Sequence, residues 1–186
     1  PFADLPVQPG WKYESVKFVY ENGIMNGITQ PDGTVSSFEP DSPLTREMFA
    51  TVLYRMEGNP AVVFENRFSD VGSGKYYSNA VIWAYQKNIV NGYADGTFGV
   101  GEFITREQIA KMLMEYADRK GYDITASADI SGFPDVSQVS GWAVRYMKWA
   151  VGSGMINGQK SPDGQSFLNA RGNATRAECA AMLMRF

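Results

Sequence analysis

Three arginines stand at matched places in this chain, Arg46, Arg106 and Arg176, each directly after a threonine (Thr45, Thr105, Thr175). A guanidinium is a planar, permanently charged fork of N–H donors, well shaped to take a carboxylate or phosphate with two bonds at once. Threonine ahead of an apolar-periodic segment is helix-start chemistry, and the first turn of a helix leaves backbone N–H groups unpaired. Guanidinium and helix start together could hold an anion. The plainer alternative is that each arginine pairs with a nearby Asp or Glu, or faces water. A cation in the first turn opposes the helix dipole, at about 0.3–1 kcal/mol when exposed. The recurrence keeps both readings open.

Each Thr-Arg pair is followed by the same apolar ladder: Phe49, Val52 and Leu53; Ile109, Met112 and Leu113; Cys179, Met182 and Leu183. Alanine fills one matched place in each (Ala50, Ala110, Ala180). Such spacing predicts three amphipathic helices. Upstream of each lies a second block ending in Asn-Gly, at Asn26-Gly27, Asn91-Gly92 and Asn157-Gly158. Counting back from these glycines aligns Trp11, Tyr76 and Trp142, and also Phe18, Trp83 and Trp149. Further back stand Phe2-Ala-Asp4, Phe68-Ser-Asp70 and Phe133-Pro-Asp135. Between the blocks Asp-Gly recurs at Asp32-Gly33, Asp95-Gly96 and Asp163-Gly164, followed by Phe38, Phe98 and Phe167. The chain is a tandem array.

The shorter helices are expected at roughly 11–22, 76–88 and 141–152, stopped by Asn22-Gly23, Asn88 and Gly152. Phe18, Trp83 and Trp149 fall at helical spacing with apolar neighbours and read as core. Trp11, Tyr76 and Trp142, at the helix starts, could stack on a sugar face or cap the core. Asn-Gly and Asp-Gly are turn signals first. The full capping box is expected only at Thr175-x-x-Glu178; Gln108 can do a similar job and Met48 cannot. Breaks fall near 58–66 and 121–131, the second an exposed polar loop, giving units at 1–60, 67–122 and 132–186. Two helices per unit cannot bury both apolar faces, whereas three units around a shared axis can.

Composition narrows the chemistry. The 186 residues, 44% apolar and 20% charged, suit an ordinary folded protein. The net charge of −3 argues against a nucleic-acid surface. No apolar run is long enough for membrane insertion. There is no histidine, which removes Ser-His-Asp and Cys-His catalysis and His-ligated zinc. The single cysteine, Cys179, lies on the apolar ladder and reads as a buried structural thiol. No calcium loop is present, and no metal or cofactor is expected. Starting at Pro1 without methionine or a signal pattern, the chain reads as a piece of a longer protein.

At these motifs the chain resembles three S-layer homology modules in tandem. The family pattern appears as Phe68-Ser-Asp70-Val71, Phe133-Pro-Asp135-Val136, Trp142-Ala143 and Gly92-Tyr93-Ala94-Asp95-Gly96-Thr97-Phe98. Its closing motif appears as Ile104-Thr105-Arg106-Glu107 and Ala174-Thr175-Arg176-Ala177-Glu178. The resemblance implies a mainly α fold: three helix-loop-helix repeats packed as a pseudo-threefold trimer around a central helical bundle. It implies a non-catalytic, secreted anchor on the bacterial cell surface, binding secondary cell-wall polysaccharide in grooves between modules through a pyruvate ketal. Other surface-layer subunits would be further partners. Carried over by position, the ligand-binding residues would be Arg46, Arg106 and Arg176; Trp11, Tyr76 and Trp142; Gly27, Gly92 and Gly158; Asp4, Asp70 and Asp135. Departures from the pattern (Tyr76 for Trp, Leu5-Pro6 after the first Phe-x-Asp, Ala174 before Thr175, an extra residue between Phe167 and Thr175) imply inequivalent grooves.

Two other classes compete. A wall-polysaccharide hydrolase would need paired carboxylates, yet the recurring aspartates sit beside turn glycines, where Asp is favoured structurally. A structural module for lattice self-association or protein docking would be served by the 13% aromatic content.

Overall fold

The structure, a computed structural model, describes residues 2–6, 10–29 and 31–186. Helix dominates. The elements in order are α1 (Trp11–Glu21), β1 (Ile28–Thr29), β2 (Val35–Ser37), α2 (Arg46–Met56), α3 (Ser78–Gln86) and α4 (Arg106–Lys120). After two 3-10 turns, Val136–Gln138 and Gly141–Ala143, come α5 (Val144–Gly152), β3 (Gln159–Lys160), β4 (Ser166–Phe167) and α6 (Arg176–Arg185). No described helix is long and apolar enough to cross a membrane.

The three Thr-Arg helices begin where the repeat predicts, but their caps differ. Thr105 and Thr175 accept from the N–H of Gln108 and Glu178, which reach back to complete capping boxes. The glutamine therefore does what the sequence expected in full only of Glu178. Thr45 makes no side-chain cap bond, and its hydroxyl is buried without a partner. Met48, at the reciprocal place, has no acceptor to offer.

The shorter helices are shorter than expected. Tyr76 lies in the turn before α3, and Trp142 on the 3-10 turn before α5. The stops are left-handed residues: Gly23 (φ 67°), Asn88 (φ 55°) and, in the third unit, Gly154 (φ 75°). Gly152 is still helical and serves another purpose. A Cβ there would lie 2.7 Å from the Ser127 backbone nitrogen, because the 126–129 segment crosses α5, with Ala128 N–H bonded to Lys148 O at 3.0 Å. The segment is the exposed, irregular loop the sequence suggests, and it is also tied to α5 by that bond.

Asp-Gly makes the expected turns. Asp32 and Asp95 each accept from the backbone and hydroxyl of the threonine two residues on. Two of the turns close hairpins, β1–β2 and β3–β4. In the third unit the residue matching Phe38 and Phe98 is Leu168, not Phe167. Leu168 is fully buried and makes the equivalent backbone bonds, while Phe167 sits on the hairpin and is only half-buried. The extra residue therefore lies upstream, in the turn. Backbone register, not aromatic identity, decides which side chain enters the core.

Helices pair between units. The main contacts join α3 to α2, α5 to α4, and α1 to α6, so each short helix covers the long helix of the unit before it, the first covering the last. Backbone bonds ahead of the long helices repeat the circuit: Leu44 N–H to Ala174 O, Ala174 N–H to Ile104 O, Ile104 N–H to Leu44 O. At their far ends Tyr116 donates to Glu57 at 2.9 Å and packs 6.0 Å from the Phe186 ring. Ala50, Ala110, Ala180 and Cys179 are fully buried, as are Phe49, Ile109 and Leu113. Burial pushes the Cys179 thiol pKa up, away from nucleophile chemistry. Trp83 and Trp149 are core.

Candidate functional site

The groove arginines are held by neighbours distant in sequence. Arg46 Nε donates to Phe98 O at 3.0 Å, Arg106 Nε to Leu168 O at 3.0 Å, and Arg176 Nε to Phe38 O at 2.7 Å. Each is more than nine-tenths buried. The plain reading of arginines facing water is thereby excluded, and of these three arginines only Arg106 has an ion pair among the described residues. Fixing Nε leaves the outer nitrogens of the fork for other partners. Burial lowers the pKa of Arg106 and Arg176, with nearby Glu178 and Glu39 respectively opposing the shift. A guanidinium titrates so high that both remain cations at neutral pH.

The acceptor carbonyls are themselves fixed by the repeated aspartates. Asp70 accepts from the N–H groups of Phe98, Gly99 and Val100 at 2.7–2.8 Å. Asp4 holds Phe38 and Glu39, and Asp135 holds Leu168 and Asn169. These three carboxylates clamp the loop whose carbonyl grips an arginine. Burial works upward on the Asp70 pKa, but the three N–H bonds prevail and it is lowered.

Three grooves collect the repeated residues, and each takes a part from every unit. One, of about 240 Å³, combines Arg46 with Asn91-Gly92 and Trp142. A second, of about 510 Å³, combines Arg106 with Asn157-Gly158 and Trp11. The third, of about 160 Å³, combines Arg176 with Asn26-Gly27 and Tyr76. Residues aligned with one another in the repeat thus lie in different grooves. Trp11 (50% exposed), Tyr76 (62%) and Trp142 (50%) offer ring faces to solvent, whereas core residues of this size would be covered.

The glycines are required by packing as well as by position. A Cβ on Gly92 would lie 2.3 Å from Phe68 Cε1 and one on Gly27 2.4 Å from Phe2 Cε1, because the Phe-x-Asp ring presses on the Asn-Gly turn. At Gly158 the same approach is looser, 3.0 Å from Phe133 Cε1.

The grooves are inequivalent, as the departures from the pattern imply. Arg46 lies between rings, with Cζ 4.8 Å from the centroid of Tyr93 and 4.9 Å from that of Phe98. Arg176 lies 4.5 Å from the Phe38 centroid and commits one outer nitrogen to Asn26 O at 2.8 Å. Arg106 has Leu168 where the others have phenylalanine, and its Nη1 faces Glu178 Oε1 at 3.7 Å. Sequence reading missed Arg55, Lys111 and Arg185, which also line the three grooves. Their signal was the helix face running on from the Thr-Arg start, which the apolar ladder obscured.

Comparison with known proteins agrees with the repeat. A sequence model described as the S-layer homology domain matches residues 5–50, 67–110 and 132–180. The chain is 26% identical over its full length to a cellulosome-anchoring protein of Acetivibrio thermocellus, spanning 38% of that protein. It is 26% identical over 95% of its length to a surface-layer 125 kDa protein of Lysinibacillus sphaericus, spanning 14% of it. It is 27% identical over 95% of its length to an amylopullulanase of Thermoanaerobacterium thermosulfurigenes, spanning 9%.

Proposed function

Because the chain belongs to the S-layer homology family, we propose that it is a non-catalytic anchor. It fastens a secreted protein to the bacterial cell wall by binding secondary cell-wall polysaccharide. The carboxylate of a pyruvate ketal seats on a groove arginine, and the half-exposed aromatic stacks on the sugar. The observation that carries this reading is the threefold recurrence, in a groove, of a buried guanidinium, an Asn-Gly turn and an open aromatic face. A guanidinium anchored through Nε is pre-organised, so little side-chain entropy is lost when its outer nitrogens take a carboxylate. Half-buried surroundings raise the strength of that pair above its value in water.

The same reading takes the units as a pseudo-threefold trimer, with α2, α4 and α6 as a central bundle. The closed circuit of backbone bonds and the Glu57–Tyr116–Phe186 contacts support it. The likeness to a surface-layer protein and a cellulosome-anchoring protein supports a cell-wall location, with other surface-layer subunits as further partners. Where a relative is an enzyme, this chain matches a small part of it, so any catalysis is assigned to the remainder.

Calorimetric titration with wall polysaccharide, before and after removal of its pyruvate groups, tests the reading. Binding that requires the ketal supports it. Equal binding to both forms would keep the anchor and move recognition to neutral sugar contacts. No binding to either would favour lattice or protein association.

A further inference from the structure

Resting on the ketal reading above, we propose that each groove reads a second negative charge, so that the ligand is a glycan terminus bearing two anionic groups, selected by Lys111, Arg55 and Arg185. Every groove holds a second cation beside its arginine: Lys111 with Arg46, Arg55 with Arg176, and Arg185 with Arg106. One ketal carboxylate carries one charge and leaves the other cation without a counterion.

The second cation is not a fixed feature of the repeat. Arg55 and Arg185 occupy the matching place near the ends of α2 and α6, where α4 has Glu115. In α4 the cation stands one turn earlier on the same face, at Lys111, where α2 has Thr51 and α6 has Ala181. A residue kept for one structural contact would not move along its helix, whereas a charge kept for a ligand can. Arg55 and Arg185 also suit the negative end of their helices. Lys111, in the middle of α4, has no such reason to be there.

Nothing described neutralises Lys111. Among the described residues it has no carboxylate within ion-pair distance, and Glu115 one turn on instead accepts from Tyr146 Oη at 2.8 Å. Burial lowers the Lys111 pKa; Glu115 opposes that shift, and Arg46 across the groove adds to it. Two cations facing one another in a partly buried groove repel, and an anion between them relieves that cost. In the Arg106 groove Lys160 and Glu178 also line the wall, so one positive charge there is already offset.

The second group is a carboxylate on the neighbouring sugar or a phosphate ester there; both present charged oxygens to an ammonium or guanidinium. Three synthetic probes separate these: a pyruvyl-ketal N-acetylhexosamine glycoside, its disaccharide with a uronic acid, and its disaccharide with a phosphate monoester. Binding to the full chain is followed at the Trp142 indole N–H by NMR, which reports the Arg46 groove. The expected result is at least about tenfold tighter binding of one two-charge probe. That advantage is lost in Lys111→Met and kept in Lys111→Arg, with the two-charge probe losing at least about tenfold more affinity than the one-charge probe in Lys111→Met. Thermal melts check that both variants fold. Equal loss for one- and two-charge probes, or no preference by the parent protein, overturns the second-anion site while leaving the ketal reading intact. Failure of the one-charge probe, with Lys111-dependent binding of a two-charge probe, supports the second-anion site and shows that the ketal alone does not hold the ligand. Failure of all three overturns both.

Discussion

Arg46 and Phe98 are separated by 52 positions in the chain, and the guanidinium of one donates to the carbonyl of the other at 3.0 Å inside the protein. The residue proposed to hold ligand is therefore also a joint between units. A hydrogen bond to a charged group contributes about 1.5–3 kcal/mol. Arg46→Ala is expected to lower stability by about 2 kcal/mol and also to abolish binding in its groove. Arg46→Lys keeps the charge and loses the fork, so binding there should fall more than stability does. Urea unfolding alongside titration of each variant checks this; an Arg46→Ala protein as stable as the parent would remove the joint.

Acid should loosen the same joint. The lowered pKa of Asp70 means its contribution is complete above the ordinary carboxylate range. It is lost as pH falls through the folded-state value, below about pH 4. Asp70→Asn, which keeps one acceptor oxygen, should destabilise at neutral pH and flatten the acid limb of a stability-against-pH curve. An unchanged acid limb would show that Asp70 does not govern it.

The orphaned hydroxyl of Thr45 invites repair. Met48→Gln reproduces the arrangement of Thr105 and Gln108 and should stabilise the protein by about 0.5–1 kcal/mol. In a domain of this size that is a rise of about 1–4 °C in Tm. Calorimetric melting decides it, and no rise would mean that the introduced amide fails to reach the cap.

Gly92→Ala should cost about 2 kcal/mol or more, since it combines a φ of 71° with a Cβ 2.3 Å from the Phe68 ring. Gly158→Ala, with 3.0 Å to its ring, should cost less. Equal costs, measured by urea unfolding, would place the effect in backbone conformation alone, because both residues share positive φ.

Glu178→Gln should tighten binding in the Arg106 groove by about threefold, by releasing the guanidinium from its carboxylate. The cap survives, because Gln108 already performs that task in α4. The Trp11 indole signal, which reports this groove, measures the change. Weaker binding would mean that Glu178 positions Arg106 instead of competing for it.

The sequence by itself determined the repeat, the helix starts at Thr45, Thr105 and Thr175, the Asp-Gly turns and the buried ladder. These are local: spacing fixes which side chains share a helix face, and turn residues carry their own backbone preferences. Tertiary structure decided the rest. Which unit's aromatic faces which unit's arginine depends on the packing of α3 on α2, α5 on α4 and α1 on α6, contacts between residues far apart in the chain. The clamp of Asp4, Asp70 and Asp135 on backbone N–H groups is long-range in the same way. Leu168 replaced Phe167 because register in the β3–β4 hairpin, not residue type, set which side chain points inward. A linear repeat names the parts of each groove, but only burial of the helix faces between units determines which parts meet.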